Sequence, residues 1–177
     1  MNKTIITSLL LLIISSMFIG TGTGCKIYSF NDVGTIPDSV KTVRINFIEN
    51  RAPYVNPQLS PALTDRIKQR ITSQTRLSNT SSDNAHWDIG GTITDYSVIT
   101  TGVSAAGGRQ QETINRLTVS VRITIFKQLE NKTEEFDVSR SFDFSANQSL
   151  QTAEANLLDD MIRNLTDEIF NRIFSNW

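Results

Sequence analysis

The chain holds one cysteine and one histidine in 177 residues, and those two scarcities remove much site chemistry at the outset. A lone thiol, Cys25, forms no intramolecular disulfide. Nor can it supply the several thiolates that a cysteine-rich zinc site gathers around one tetrahedral ion. A lone imidazole, His86, removes metal sites and triads that need paired histidines. Charge of one sign is lacking too: 17 Lys and Arg face 18 Asp and Glu, a net charge of −1, so the strongly basic footprint of a nucleic-acid binder is missing. Composition is ordinary for a globular protein, and the length fits one domain with a single sizeable core.

Long apolar runs are scarce as well. The one candidate, Ile5 to Ile19, falls short of the roughly 20 residues that span a bilayer and suits the apolar region of a signal peptide. Lys3 gives it a positive start. Small residues follow, Gly20-Thr21-Gly22-Thr23-Gly24, and then Cys25. Small side chains before the cut suit a peptidase that binds an extended backbone closely, and the thiol is the nucleophile for thioether attachment of a diacylglycerol. Gly22 stands where a bacterial lipobox usually has leucine. The expectation is a signal peptide over 1–24 and a mature chain carrying diacylglycerol and an N-acyl lipid on Cys25, more than the two signals stable anchoring needs. No other cofactor and no metal is expected. Lys26, not aspartate, follows the cysteine. By analogy with lipoprotein sorting, that places the anchor in the outer membrane, with the domain facing the periplasm.

Residues 25–40 read as a lipidated tether with turn signals at Asn31-Asp32, Gly34 and Pro37-Asp38, and 41–177 as a single α+β domain. Lys41 to Ile48 alternates as a strand with Val43, Ile45 and Phe47 on one face. Asn50 to Pro57 is a loop. A helix follows over about Gln58 to Thr75, with Leu63, Ile67 and Ile71 toward a core, and Ser78 to Asn84 is a polar loop. His86 to Thr100 alternates through Trp87, Ile89, Gly91 and Ile93. Its apolar phase then slips to Tyr96 and Val98, which predicts a bulge near Asp95. Thr113 to Phe126 alternates from Leu117 to Ile125, and Glu134 to Phe144 repeats the pattern, interrupted by Arg140. Short connections suit antiparallel hairpins. Ser149 to Phe174 is an amphipathic helix with Leu157, Leu158, Met161, Ile162, Leu165 and Ile169 on its apolar face. The order β-α-β-β-β-α predicts a two-layer α+β sandwich: two helices on one face of a four-stranded, mostly antiparallel sheet, the other face polar and wet.

Chemistry-bearing patterns are few. His86 opens a strand near Asp83 and Asp88 with no serine that spacing nominates, and carboxylates beside a strand end are usually solvated. Gly90-Gly91 and Gly107-Gly108 sit among strands rather than at the strand-to-helix turn of a phosphate loop. Glu134-Glu135 and Asp159-Asp160 are neighbours that diverge in space, whereas an acid–base pair needs convergent side chains. Arg116 and Arg122, six positions apart, share the polar side of one strand, with Arg109 in the adjoining loop. These three are either a solubilising outer face or a patch contacting the anionic groups of a glycolipid or a partner.

Several stretches carry a resemblance over most of the mature chain. After Cys25 come Tyr28-Ser29-Phe30, Ile36-Pro37 and Val40-Lys41-Thr42-Val43, then Phe47-Ile48-Glu49-Asn50-Arg51-Ala52 and Val55-Asn56-Pro57-Gln58-Leu59-Ser60. Gly90 to Tyr96, Asn115 to Val119 and Asn176-Trp177 follow in the same order. In these the chain resembles the lipopolysaccharide-assembly lipoproteins, LptE, in their Bacteroidetes form. The resemblance implies two helices on a four-stranded sheet and a role without catalysis. The protein would be an outer-membrane subunit that plugs an LptD-type β-barrel, aids its assembly and helps deliver lipopolysaccharide to the surface, from inside the lumen or against it. A different class of function is a periplasm-facing lipoprotein regulator that binds a cell-wall synthase or peptidoglycan. A third, a lipoprotein hydrolase, lacks a nominated nucleophile. Co-purifying partners discriminate the first two.

Overall fold

The first strand of the domain runs beside the third long segment of the chain, not beside its sequence neighbour. In the computed structural model, which describes residues 36–101 and 113–175, β1 (Thr42–Ile45) pairs in parallel with β4 (Trp87–Thr101), Val43 opposite Trp87 and Ile45 opposite Ile89. β2 (Glu49–Asn50) continues along the same edge of β4, with Glu49 opposite Thr92. Helix α1 (Leu59–Gln74) and the short β3 (Ser78–Asn79), which pairs with the start of β1, complete the crossover. β5 (Ile114–Lys127) and β6 (Lys132–Ser145) add antiparallel hairpin strands, and α2 (Leu150–Phe174) closes the domain.

Among the described residues the sheet therefore has six strands in a mixed arrangement, with β3-β1-β4-β5-β6 in order and β2 beside β4. The four-stranded, mostly antiparallel sheet expected from the sequence is too small and too uniform. Its four long segments are present, but an α-helix in the connection lets β1 return parallel to β4. Ser78 and Asn79, read as loop, supply the outermost pairing because they bond to β1 at Lys41 and Val43 through Ser78 N–H and Thr80 N–H.

One side chain moves to the opposite face from the one expected. Phe47 is 56% exposed, while Ile48 is buried at 3%. Between Ile45 opposite Ile89 and Glu49 opposite Thr92, the edge strand advances four residues while β4 advances three. The extra residue is a bulge, and it reverses the alternation beyond Ile45. The bulge expected in β4 is also present: Ile93 lies opposite Val121 and Asp95 opposite Ser120, leaving Thr94 as the extra residue.

Ile48 packs over Gly91, and this is the place where a glycine is required for space. A Cβ there would stand 2.9 Å from Ile123 Cδ1, 3.2 Å from the Arg122 carbonyl oxygen and 3.3 Å from Ile48 Cγ1. Ile48 N–H also donates to Thr64 Oγ1 at 3.0 Å, tying the bulge to α1.

One core takes the inward face of the sheet together with the apolar stripes of both helices. Leu63, Ile67 and Ile71 of α1 and Met161, Leu165 and Ile169 of α2 are buried against Ile93, Leu117, Val119, Val121 and Ile123. Phe170 and Phe174 extend the stripe, and Phe174 stacks on Trp87 at 5.8 Å between centroids. Ser149 caps α2, its Oγ accepting from Thr152 N–H at 3.2 Å. Ile36 and Val40 are buried against the same core. Among the described residues no helix is long and apolar enough to cross a membrane.

Candidate functional site

Period-two alternation puts every second residue of β5 and β6 on the face away from the helices, and the register then decides which of them meet. Arg116 lies opposite Asp143, Thr118 opposite Ser141, Ser120 opposite Ser139, Arg122 opposite Asp137 and Thr124 opposite Glu135. Each of these opposed pairs is hydrogen-bonded. Arg116 donates through Nε and Nη2 to the two oxygens of Asp143 at 2.6 and 2.8 Å. Arg122 grips Asp137 the same way at 2.9 and 3.3 Å. The hydroxyl pairs between them close at 2.9 Å (Thr118–Ser141) and 3.0 Å (Ser120–Ser139). The result is a hydroxyl strip bounded by two forked ion pairs.

Charge pairing continues across the sheet. Arg44 of β1 contacts both Asp83 and Asp88, and Asn46 Nδ2 donates to Asp88 at 2.7 Å. On the other side of the sheet, the helix-facing side, Lys127 and Lys132 both reach Glu134. The hydrogen bonds that Arg116 and Arg122 donate to Asp143 and Asp137 hold their guanidiniums above the ordinary pKa, and Arg116 in turn holds the Asp143 carboxyl below its own. Glu134 is likewise held down, by Lys132 and then Lys127. On their exposed face, the Arg116–Asp143 and Arg122–Asp137 pairs set partner preference more than stability.

Of the three arginines singled out in the sequence, Arg116 and Arg122 stand on one face as their spacing requires, each already engaged by an aspartate. Arg109 and Cys25 lie outside the described residues. His86 ties the starts of two strands together: its Nδ1 lies 2.6 Å from Thr42 Oγ1 and accepts from Thr42 N–H at 3.3 Å, while its own N–H donates to Thr42 Oγ1 at 3.1 Å. Among the described residues no group of three His, Cys, Asp or Glu side chains could hold a metal ion.

Sequence reasoning missed a cluster built on a buried carboxylate. Glu154, in the second turn of α2 and 7% exposed, accepts from Tyr54 Oη at 3.1 Å and from Tyr96 Oη at 2.6 Å, one hydroxyl to each carboxylate oxygen. The two rings stack at 5.3 Å. Burial, and then the hydrogen bond to Glu154, raise both phenols above the usual tyrosine range. The cluster pins the loop before α1 to β4 and to α2. Separations of 58 and 100 positions leave no local pattern to find it by. A polar cleft of about 720 Å³ also opens beside the bulge, between Ile45–Phe47 and Thr80–Ser81, with Lys68 at its rim.

The comparisons with known proteins bear on this arrangement. A family model described as Lipopolysaccharide-assembly, LptE, matches residues 40–173. Curated protein sequences give no match. Among solved structures, a protein described as a neuraminyllactose-binding hemagglutinin homolog from Helicobacter pylori is similar with a TM-score of 0.55 at 7% identity, over 77% of this chain and 83% of that one. A hypothetical protein from Chlamydia trachomatis follows with a TM-score of 0.47 at 16% identity, over 75% of this chain and 95% of that one. The first of these likenesses is one of fold.

Proposed function

Because this chain belongs to the lipopolysaccharide-assembly family, LptE, we propose that it is an outer-membrane lipoprotein, anchored through Cys25, that plugs an LptD-type β-barrel and aids its assembly and lipopolysaccharide delivery to the cell surface. The observation that carries this reading is the family match across the whole folded domain. The sheet face described above supports it. A plug in a water-filled lumen must present groups that tolerate water and hydrogen-bond a polar wall. The Arg116–Asp143 and Arg122–Asp137 pairs with the hydroxyls between them supply that surface without an exposed apolar centre.

The role is one of binding and assembly, not of catalysis. Within it, Arg116 and Arg122 contact anionic groups of the glycolipid or of the barrel wall through the N–H donors their aspartates leave free. Each guanidinium has five such donors and the forked pair uses two of them. Arg109, in the sequence between β4 and β5, belongs to the same proposal as a third cation. Acyl chains on Cys25 hold the domain at the membrane.

Depletion of the protein in its own cells tests the proposal. Loss of surface lipopolysaccharide together with loss of assembled barrel is the expected result. Normal surface lipopolysaccharide alongside altered cell-wall synthesis would favour the regulator of a synthase or of peptidoglycan instead.

A further inference from the structure

The outer edge of β1 is only partly covered. Asn46 N–H donates to the Ile89 carbonyl, so even-numbered residues of this stretch turn their backbone groups toward β4 and odd-numbered ones turn theirs outward. β3 serves Lys41 and Val43, whose carbonyls accept from Ser78 N–H and Thr80 N–H, each at 2.9 Å. Ile45 is next on that side, and there β3 has ended. Ser82 N–H turns back onto Thr80 Oγ1 at 3.1 Å as the chain leaves the sheet. Among the described residues neither the N–H nor the carbonyl of Ile45 has a partner on this edge.

Those two groups face the polar cleft of about 720 Å³ that Arg44, Ile45, Phe47, Lys68, Thr80 and Ser81 line. Ile45 is itself 6% exposed, and backbone donors and acceptors of so covered a residue are nearly always paired in a folded protein. A second donor of the cleft is in the same position. Arg44 Nε is shielded and has no partner among the described residues, while the other nitrogens of that guanidinium hold Asp83 and Asp88. An open N–H and C=O on one edge residue are the pair that an extended backbone completes, as in strand addition to a sheet edge.

The surroundings set what that strand carries, because its side chains alternate between the two faces of the sheet. On the helix side stands Lys68 of α1, which forms no ion pair among the described residues. On the outer side stands the ring of Phe47, more than half exposed. The bulge closes the far end, where Thr64 Oγ1 takes Ile48 N–H, so the segment that fits is short. A free anion is poorly served here: Lys68 alone lacks a carboxylate among the cations lining the cleft, and Asp83 and Asp88 flank Arg44.

Resting on the barrel-subunit reading above, we infer that the open edge of β1 at Ile45 is a strand-addition site for a short extended segment of the barrel protein. The segment lies in line with β3, pairs its backbone with Ile45, and sets a carboxylate against Lys68 and an apolar side chain against Phe47. The barrel is then engaged by two surfaces, through side chains at the Arg–Asp face and through main chain at this edge.

Photo-crosslinking amino acids placed singly at Phe47 and Ser81 of the full-length protein in its own cells test this, with Ser139 in the middle of the polar face for comparison. Both cleft positions should give adducts to one short segment of the barrel protein. Barrel adducts from Ser139 with none from the cleft would overturn the inference and leave the subunit reading standing. Cleft adducts to glycolipid, to another protein or to residues 25–35 of the chain itself would also overturn it, and an absence of barrel adducts at every position would sink both. Hydrogen exchange reads the backbone itself. Exchange at Ile45 N–H should slow about tenfold or more in the purified complex relative to the free protein, and an unchanged rate would overturn strand pairing. Lys68→Glu, at the rim, should melt as the parent does while recovering roughly tenfold less barrel in detergent extracts, and Lys68→Arg should recover as much as the parent. Undiminished recovery with Lys68→Glu would contradict the inference.

Discussion

Tyr96 donates its hydroxyl to the buried carboxylate of Glu154 at 2.6 Å, joining the middle of the longest strand to the start of the longest helix. A hydrogen bond to a buried charged acceptor is worth about 1.5–3 kcal/mol. Tyr96→Phe should destabilise the domain by about that amount in denaturant unfolding. The alkaline limb carries the sign. Folded Tyr96 keeps its proton above the usual tyrosine pKa of about 10, where the unfolded chain releases its own. The unfolded state then binds fewer protons, so the stabilisation present below about pH 10 is lost as pH rises further. Tyr96→Phe should flatten most of that loss, and Tyr54→Phe part of it, since Tyr54 is shifted the same way.

Neighbouring positions 47 and 48 should behave oppositely. Ile48→Ala empties a buried site and should cost about 2–5 kcal/mol, whereas Phe47→Ala removes an exposed ring and should stay within about 0.5 kcal/mol. Unfolding curves of the two variants check the bulge directly, because an uninterrupted strand would reverse the order.

Gly91 should tolerate no side chain without cost. Gly91→Ala brings a methyl against the Arg122 carbonyl and Ile48, and the overpacking should cost about 1–3 kcal/mol. Part of it should return in the double variant with Ile123→Val, which removes the Cδ1 that would stand 2.9 Å from the new methyl. A thermal shift series on the two variants measures this.

Releasing the arginines should raise affinity for anions with little loss of stability. Asp137→Asn and Asp143→Asn remove the carboxylates that engage Arg122 and Arg116. Exposed pairs of this kind contribute about 0–1 kcal/mol, so melting should change little. Binding of the double variant to lipopolysaccharide micelles at low salt should strengthen several-fold and weaken again as salt rises. An unchanged affinity would return Arg116 and Arg122 to a purely solvated role.

Much of this fold is legible in the sequence, for identifiable reasons. The stripes Leu63-Ile67-Ile71 and Met161-Leu165-Ile169 repeat at helical spacing and are buried as such. The slip from Ile93 to Tyr96 is visible in sequence because alternation has only two phases, and it marks the bulge in β4. The second bulge is hidden, because Phe47 is as apolar as Ile48 and either one continues the pattern. β3 is hidden too: Ser78 and Asn79 carry no apolar signal and are held by backbone bonds alone. At the polar face, alternation places Arg116 and Arg122 together, but their aspartates are found only once the Gln128–Asn131 turn sets the hairpin register. The Tyr54–Glu154–Tyr96 cluster depends on three separate elements meeting, which no window of sequence displays.

The central claim is that this lipoprotein works as the partner of a barrel. It is tested most directly by tagging the full-length protein, extracting outer membranes in mild detergent and identifying what co-purifies. The account predicts one large β-barrel protein in near one-to-one amount, retained through washing. Recovery of a cell-wall synthase, or of no barrel at all, would contradict it.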